Sequence, residues 1–190
     1  VLHSRMIVWG ITGNNHDASL AVMEYHVKGL TDRWGLYIHW AGKSSDFSGI
    51  PGDPNLCPEM LAHIRSNPRW AHPAKVIWYG KPIKKSLRQL IAGQGLTFKE
   101  NNVKKFLARQ GIHVPIEYVG HHESHAAYGY YTSPFNNAAV VVLDSIGEFD
   151  TFTIWHGHGD KIEKRHATRY PNSVGPVSYT HLTLPTKPSV

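Results

Sequence analysis

A run of three strands appears twice in this chain, and that repeat constrains the fold more than any other feature. Residues 5–12 (RMIVWGIT), 18–25 (ASLAVMEY) and 34–41 (WGLYIHWA) read as strands, the first two joined by a polar turn opening with Gly13, Asn14 and Asn15. Residues 138–144 (AAVVVLD), 150–156 (DTFTIWH) and 161–168 (KIEKRHAT) repeat the pattern, with Ser145, Ile146 and Gly147 as the corresponding turn. Between the runs, Leu56, Met60, Leu61 and Ile64 recur at helical spacing over 56–66. A buried strand follows at 75–79, then amphipathic helices at 83–92 and 101–110, a strand at 116–119 and a helix from His121. The stretch DFSGIPGDPN reads as a loop, and HGHGD as a hairpin turn holding His156 and His158. The order β-β-β-α-β-α-β-α and then β-β-β predicts an α/β fold, with one lobe over 1–135 and the opening meander of a second over 136–175.

Composition narrows the partners. The 190 residues, 41% apolar, suffice for one core or little more. No run of 18 apolar residues exists, so no membrane helix is expected, and the N-terminus enters a strand without the layout of a signal peptide. The single cysteine excludes an internal disulfide framework and suits a reducing, cytoplasmic compartment; Cys57, in NLCPEML, reads as a small buried hydrophobe. The net charge of +6 comes largely from KPIKKSLRQ and NNVKKFLAR, which read as solvated helix faces. A basic surface also attracts phosphorylated substrates or nucleic acid, but no basic motif interleaved with aromatics supports nucleic-acid readout.

Chemistry concentrates in His121-His122-Glu123-Ser124-His125 and in Asp144, nineteen residues further on at the end of an apolar strand. On a helix, His121 and His125 stand one turn apart on one face. Two imidazoles and a carboxylate form a facial set that suits divalent iron or a similar metal and leaves positions open for substrate. A zincin helix needs His-Glu-x-x-His, and Glu123 stands two residues after His121, so a metalloprotease is excluded. The other reading of the pair is two surface histidines at a helix start.

HDAS (16–19), HHESHAA (121–127), SPF (133–135), LDSIGEFDT (143–151) and YPNSVG (170–175) together resemble the O-carbamoyltransferases of the nodulation and antibiotic-biosynthesis type. The element order resembles the actin-like, sugar-kinase/Hsp70 superfamily with its ribonuclease H-like lobes, to which that family and the distantly related tRNA threonylcarbamoyl transferases belong. In the tRNA enzymes Glu-Gly precedes the second histidine, where this chain has Glu123-Ser124, which tilts the resemblance toward small hydroxyl acceptors. The resemblance implies transfer of a carbamoyl group from carbamoyl adenylate to a hydroxyl. The intermediate would be made from carbamoyl phosphate and ATP by a separate C-terminal domain.

Carried over by position, His121, His125 and Asp144 match three iron ligands, drawn from both lobes, with a fourth Asp expected downstream. His16 matches a histidine near the acceptor hydroxyl, where it serves as general base or orients the first turn through Asp17. Asn14 would line the acceptor pocket. Asp144, Ser145, Ile146 and Gly147 would meet the carbamoyl adenylate. The family's Glu-Arg-Phe-x-Arg-x-Lys-His-Asp segment is replaced here by WAGKSSDFSGIPGD, in which Lys43 stands for the family lysine. The acceptor would be a sugar, a glycoside or a modified nucleoside. After NSVG the sequence leaves the family pattern, and residues 176–190 read as a foreign or disordered tail on a fragment inactive by itself. A non-catalytic nucleotide- or metal-binding module of the same fold is the alternative. A phosphotransferase of the sugar-kinase kind is a third reading, weakened because such enzymes need no His-x-x-x-His pair.

Overall fold

Strand β1 (Arg5–Thr12) carries the apolar residues Val8, Trp9 and Ile11 into the core, and the first sheet is built around it. The structure is a computed structural model and describes residues 5–14, 17–26, 35–91, 93 and 101–172. β2 (Ser19–His26) pairs antiparallel with β1, and β3 (Gly35–Lys43) antiparallel with β2. β4 (Lys75–Tyr79) lies parallel on the other side of β1, and β5 (Ile116–Val119) parallel beyond it. The resulting order, β3-β2-β1-β4-β5, is the lobe of an actin-like fold, and the strands and longer helices follow along the chain in the order expected. Among the described residues, no helix is long and apolar enough to cross a membrane.

Contacts divide the chain into two units, Val1–Tyr79 with Lys99–Val119, and Gly80–Phe98 with Gly120–Val190. In the first, Trp9, Leu20, Val22, Val76 and Trp78 meet Met60 and Ile64 of α2 (Pro58–Arg65) and Phe106 and Leu107 of α4 (Val103–Arg109). Each such side chain contributes roughly 1.5–3 kcal/mol through burial. The Trp9 indole N–H, which burial would otherwise strand, donates to the Trp70 carbonyl at 2.9 Å. Cys57 is buried and reduced, its amide donating to the Ser44 hydroxyl.

The stretch expected to be all loop contains a helical turn, α1 (Ser45–Ser48), and its remainder is clasped by the β1–β2 turn. Asn14, Asp17 and Ala18 donate backbone N–H bonds to the carbonyls of Pro54, Gly52 and Asp53 at 2.8, 3.1 and 2.7 Å. Asn14 takes a positive φ of 61°, which asparagine tolerates better than most residues.

The second unit holds the antiparallel meander β6-β7-β8, with α5 (His121–Tyr131) on one face. Its strands are β6 (Asn137–Gly147), β7 (Asp150–His158) and β8 (Lys161–Arg169). α3 (Pro82–Ile91) groups here as well, and the Glu148 carboxylate accepts the Lys81 N–H at its start. The apolar stripe Ile83, Leu87, Leu90 and Ile91 of α3 is exposed, rather than the basic face alone.

Two turns differ from the sequence reading. His156 and His158 lie on β7, and the turn is formed by Gly159 and Asp160. Gly157 is a packing site: a Cβ there would stand 2.3 Å from the Tyr130 ring. Likewise, 145–147 continue β6, and the tight turn is Glu148-Phe149. Between the pairs Leu143↔Phe152 and Gly147↔Asp150, β6 has three residues (144–146) against one (151) on β7, a bulge that absorbs the polar residues without ending the strand. The expected tail, 176–190, lies outside the described residues.

Asp150 fastens β8 to β7 through Lys164 Nζ at 2.6 Å and Arg169 Nε at 3.2 Å. Burial alone raises its pKa, but the two cations outweigh burial and hold the carboxyl below its ordinary range. A depressed folded-state pKa adds stability above the ordinary aspartate value of about 4, and that stability is lost as pH falls through the folded value. Asp150→Asn is therefore expected to lower the unfolding midpoint at neutral pH and to flatten its decline between about pH 4 and lower values, read by circular dichroism during acid titration.

Candidate metal centre

Helix α5 and strand β7 are in step. Four residues of helix rise about 6 Å and two of strand about 6.6 Å, so residues at i, i+4 and i+8 match alternate strand residues. His122, Ala126 and Tyr130 are the buried residues of α5, and Thr151, Thr153, Trp155 and Gly157 those of β7. His122 Nδ1 and the Thr153 hydroxyl share a hydrogen bond at 2.9 Å, and Trp155 Nε1–H donates to that hydroxyl at 2.8 Å. At the other end, Tyr130 lies over Gly157 and its hydroxyl donates to the carbonyls of Asn136 and Gly159.

This docking fixes the rotation of the helix. With His122 inward, His121 and His125 occupy the flanking face, one turn apart. Their Nε2 atoms are 3.2 Å apart. The helix start is set by Gly120, whose N–H donates to the Glu123 carboxylate at 3.3 Å and whose carbonyl accepts the Ser124 hydroxyl at 3.1 Å. Glu123 thus closes the helix N-terminus.

Strand alternation brings in the carboxylate. Val140 and Val142 pack with Ala126 and Trp155, whereas Val141 and Leu143 face outward and are exposed. Asp144 follows at the first position of the bulge, and its Oδ2 lies 2.7 Å from His121 Nε2. One donor atom from each of His121, His125 and Asp144 falls within 4.8 Å of the others, all three residues inside the second unit. His121 and Asp144 are half-buried and His125 is more open, so the set is accessible. Partial desolvation of the His125 ring pushes its pKa below the ordinary value, His121 adding to this and Asp144 opposing it. His122 is also lowered, chiefly by burial, with Asp144 and Asp150 opposing and the two neighbouring histidines adding. Neutral imidazole is the form that ligates a metal.

The other expected residues are distributed differently. His16 lies outside the described residues. Asn14 sits in the clasped β1–β2 turn of the first unit. Lys43 is exposed at the end of β3, opposite Ser19, and neighbouring Ser44 donates its N–H to Ala18 at the same turn. Ser145, Ile146 and Gly147 belong to β6 beside Asp144. Among the described residues, His156 and His158 belong to no group of three potential ligands; His156 instead bonds Asn137 and Arg165. Sequence reasoning missed the supporting residues Thr153, Tyr130 and Gly157. Their signal was the match of i, i+4, i+8 on α5 with the alternation on β7.

Comparison with known proteins bears on this architecture. A 61-residue stretch is 38% identical to the uncharacterized protein sll1178 of Synechocystis sp., covering 32% of this chain and 10% of that relative's length. Among solved structures, the Aquifex aeolicus PPX-GPPA enzyme aligns over 93% of this chain and 56% of its own, with TM-score 0.41 and 14% identity. An exopolyphosphatase from Cytophaga hutchinsonii aligns over 98% and 56%, with TM-score 0.40 and 12% identity. The chain thus spans about half of these structures, and the fold assignment rests on the strand order itself. The carbamoyltransferase N-terminus family matches residues 74–189, a span that holds α5, the bulge of β6 and the 176–189 segment. With that match over more than half its length, the chain belongs to the carbamoyltransferase N-terminus family.

Proposed function

We propose that this chain is the N-terminal part of an enzyme that moves a carbamoyl group from carbamoyl adenylate, made from carbamoyl phosphate and ATP, to a hydroxyl acceptor. Divalent iron would be held by His121, His125 and Asp144. The observation that carries the reading is the approach of these three donors to within 4.8 Å, in a chain of this family. Two ligands of one ion at about 2.1 Å each are at most about 4.2 Å apart, so the set needs only a small side-chain rotation. Two imidazole nitrogens and a carboxylate oxygen also leave positions open. When bound, the ion would supply Lewis-acid stabilisation of negative charge on a substrate oxygen.

The chain's own residues divide the remaining work. His16 takes the proton of the acceptor hydroxyl as its oxygen attacks the carbamoyl carbon, and AMP departs with the electron pair of the bond that breaks. Asn14 and Lys43 hold the acceptor, a sugar, glycoside or modified nucleoside. Backbone amides of 145–147, beside Asp144, meet the carbamoyl adenylate, those of 145 and 146 lying in the bulge outside the regular pairing with β7.

The test uses the polypeptide of which this chain is the N-terminal part, supplied with carbamoyl phosphate, ATP and candidate alcohols. A carbamoylated alcohol with release of pyrophosphate is expected. Transfer of the γ-phosphate to the alcohol would replace this reading with a phosphotransferase, and nucleotide binding without product would replace it with a binding module. Undiminished transfer by the His121→Ala/His125→Ala variant would remove the metal from the reaction.

A further inference from the structure

The first unit has a concave feature at the end of its sheet opposite the β1–β2 turn. Residues 71–73, just before β4, and 111–114, just before β5, form a cavity of about 470 Å³ with Trp9 of β1 and Arg65 at the end of α2. Ligands of α/β sheets gather at the carboxyl ends of the strands, and this cavity lies at the amino ends of β4 and β5. None of His121, His125, Asp144, Asn14 or Lys43 lines it.

Its chemistry is divided. Trp9 and Ile112, at 1% and 6% exposure, back the cavity from the core, and its accessible apolar wall is Ala71, Pro73 and Val114. The polar rim is made of exposed nitrogen-bearing side chains, Arg65, His72 and His113, and among the described residues no carboxylate lines the cavity. Arg65 is aimed by the chain. One Nη2 donates to the Gln110 carbonyl at 2.7 Å, leaving the rest of a five-donor fork to a ligand. Gly111, beside the guanidinium, takes a φ of 70°, a left-handed conformation that glycine adopts without strain. An arginine fork beside an apolar wall matches a planar anion carrying a flat apolar body.

We propose that this cavity binds a small organic anion, a carboxylate or phosphate monoester joined to a ring, with the anionic group on Arg65 and His113 and the ring against Pro73 and Val114. The site is independent of carbamoyl transfer. The probes are phenyl phosphate, benzoate, inorganic phosphate and phenol, titrated into the 190-residue chain by calorimetry and by amide shifts at residues 111–114. Phenyl phosphate or benzoate is expected to bind at least about tenfold more tightly than phenol or inorganic phosphate, and whichever binds more tightly identifies the headgroup. Arg65→Gln and His113→Ala, both at exposed positions, are expected to weaken binding by about tenfold or more with unchanged circular dichroism. Arg65→Lys is expected to recover only part, since it keeps the charge and loses the fork. Absence of binding by both aromatic anions at millimolar concentration, or equal affinities in wild type and Arg65→Gln, would overturn the proposal.

Discussion

Replacing Gly157 with alanine is expected to cost about 3 kcal/mol of folding stability, an unusual penalty for adding one methyl group to a strand. The added Cβ would lie 2.3, 2.4 and 2.7 Å from Cδ2, Cε2 and Cγ of Tyr130, the flank of a ring rather than a flexible tip. The ring cannot swing aside cheaply. Tyr130 is 3% exposed, and its hydroxyl donates to Asn136 and Gly159 at 2.9 and 3.1 Å. Ordinary contact requires α5 to lift from β7 by about 1 Å, which loosens Ala126 from Val142 and Trp155 as well. Denaturant unfolding checks the cost. A double-mutant cycle checks the cause: in a Tyr130→Ala background, which itself costs about 3–5 kcal/mol, Gly157→Ala should add little, because the clash is gone. A neutral Gly157→Ala in the wild-type background would show that the ring is free to move.

That glycine also marks where sequence reading stops. HGHGD has the composition of a turn, and local propensity has no access to a tyrosine 27 positions earlier that needs the space of a missing side chain. The bulge was hidden for a related reason. Ser145, Ile146 and Gly147 look like a turn, and only pairing with β7 reveals that β6 carries two extra residues and runs on to Gly147. Periodicity was sufficient where one element decides its own geometry. β4 and β5 fall where their short apolar runs end, and β1, buried between two partners, reads as nearly continuous apolar sequence. The candidate centre was legible because both of its spacings are intrinsic: i, i+4 on a helix, and the parity of 140, 142 and 144 on a strand. Glu123 is the counterexample. Its proximity to the histidines invites a catalytic role, whereas its carboxylate accepts the Gly120 N–H.

Loss of either His125 or Asp144 is expected to weaken Fe(II) binding by the 190-residue chain at least about a hundredfold, since removing even a residue that only supports a ligand costs 10–100-fold. Asp144 stands 2.7 Å from His121 Nε2, and His121 3.2 Å from His125 Nε2, so removal of an outer member leaves a pair where a chelating triad had been. Anaerobic competition against a metal-sensitive dye measures the affinity without reference to turnover. A thermal readout supplies a second measure: at a hundred times the dissociation constant, the ion stabilises wild type by about 2.7 kcal/mol, and the variants should lose most of that increment. Asp144→Asn separates charge from shape, because the amide keeps the volume and offers a weaker, neutral oxygen. His156→Ala is the control. His156 is a histidine of the same unit, bonded to Asn137 and Arg165 and outside the group of three, so its removal should leave Fe(II) affinity unchanged. If His156→Ala and His125→Ala weaken binding equally, the ion is held by scattered histidines of a histidine-rich chain. If only the triad variants lose it, the step between α5 and β7 and the bulge of β6 have together made a site that neither element holds alone.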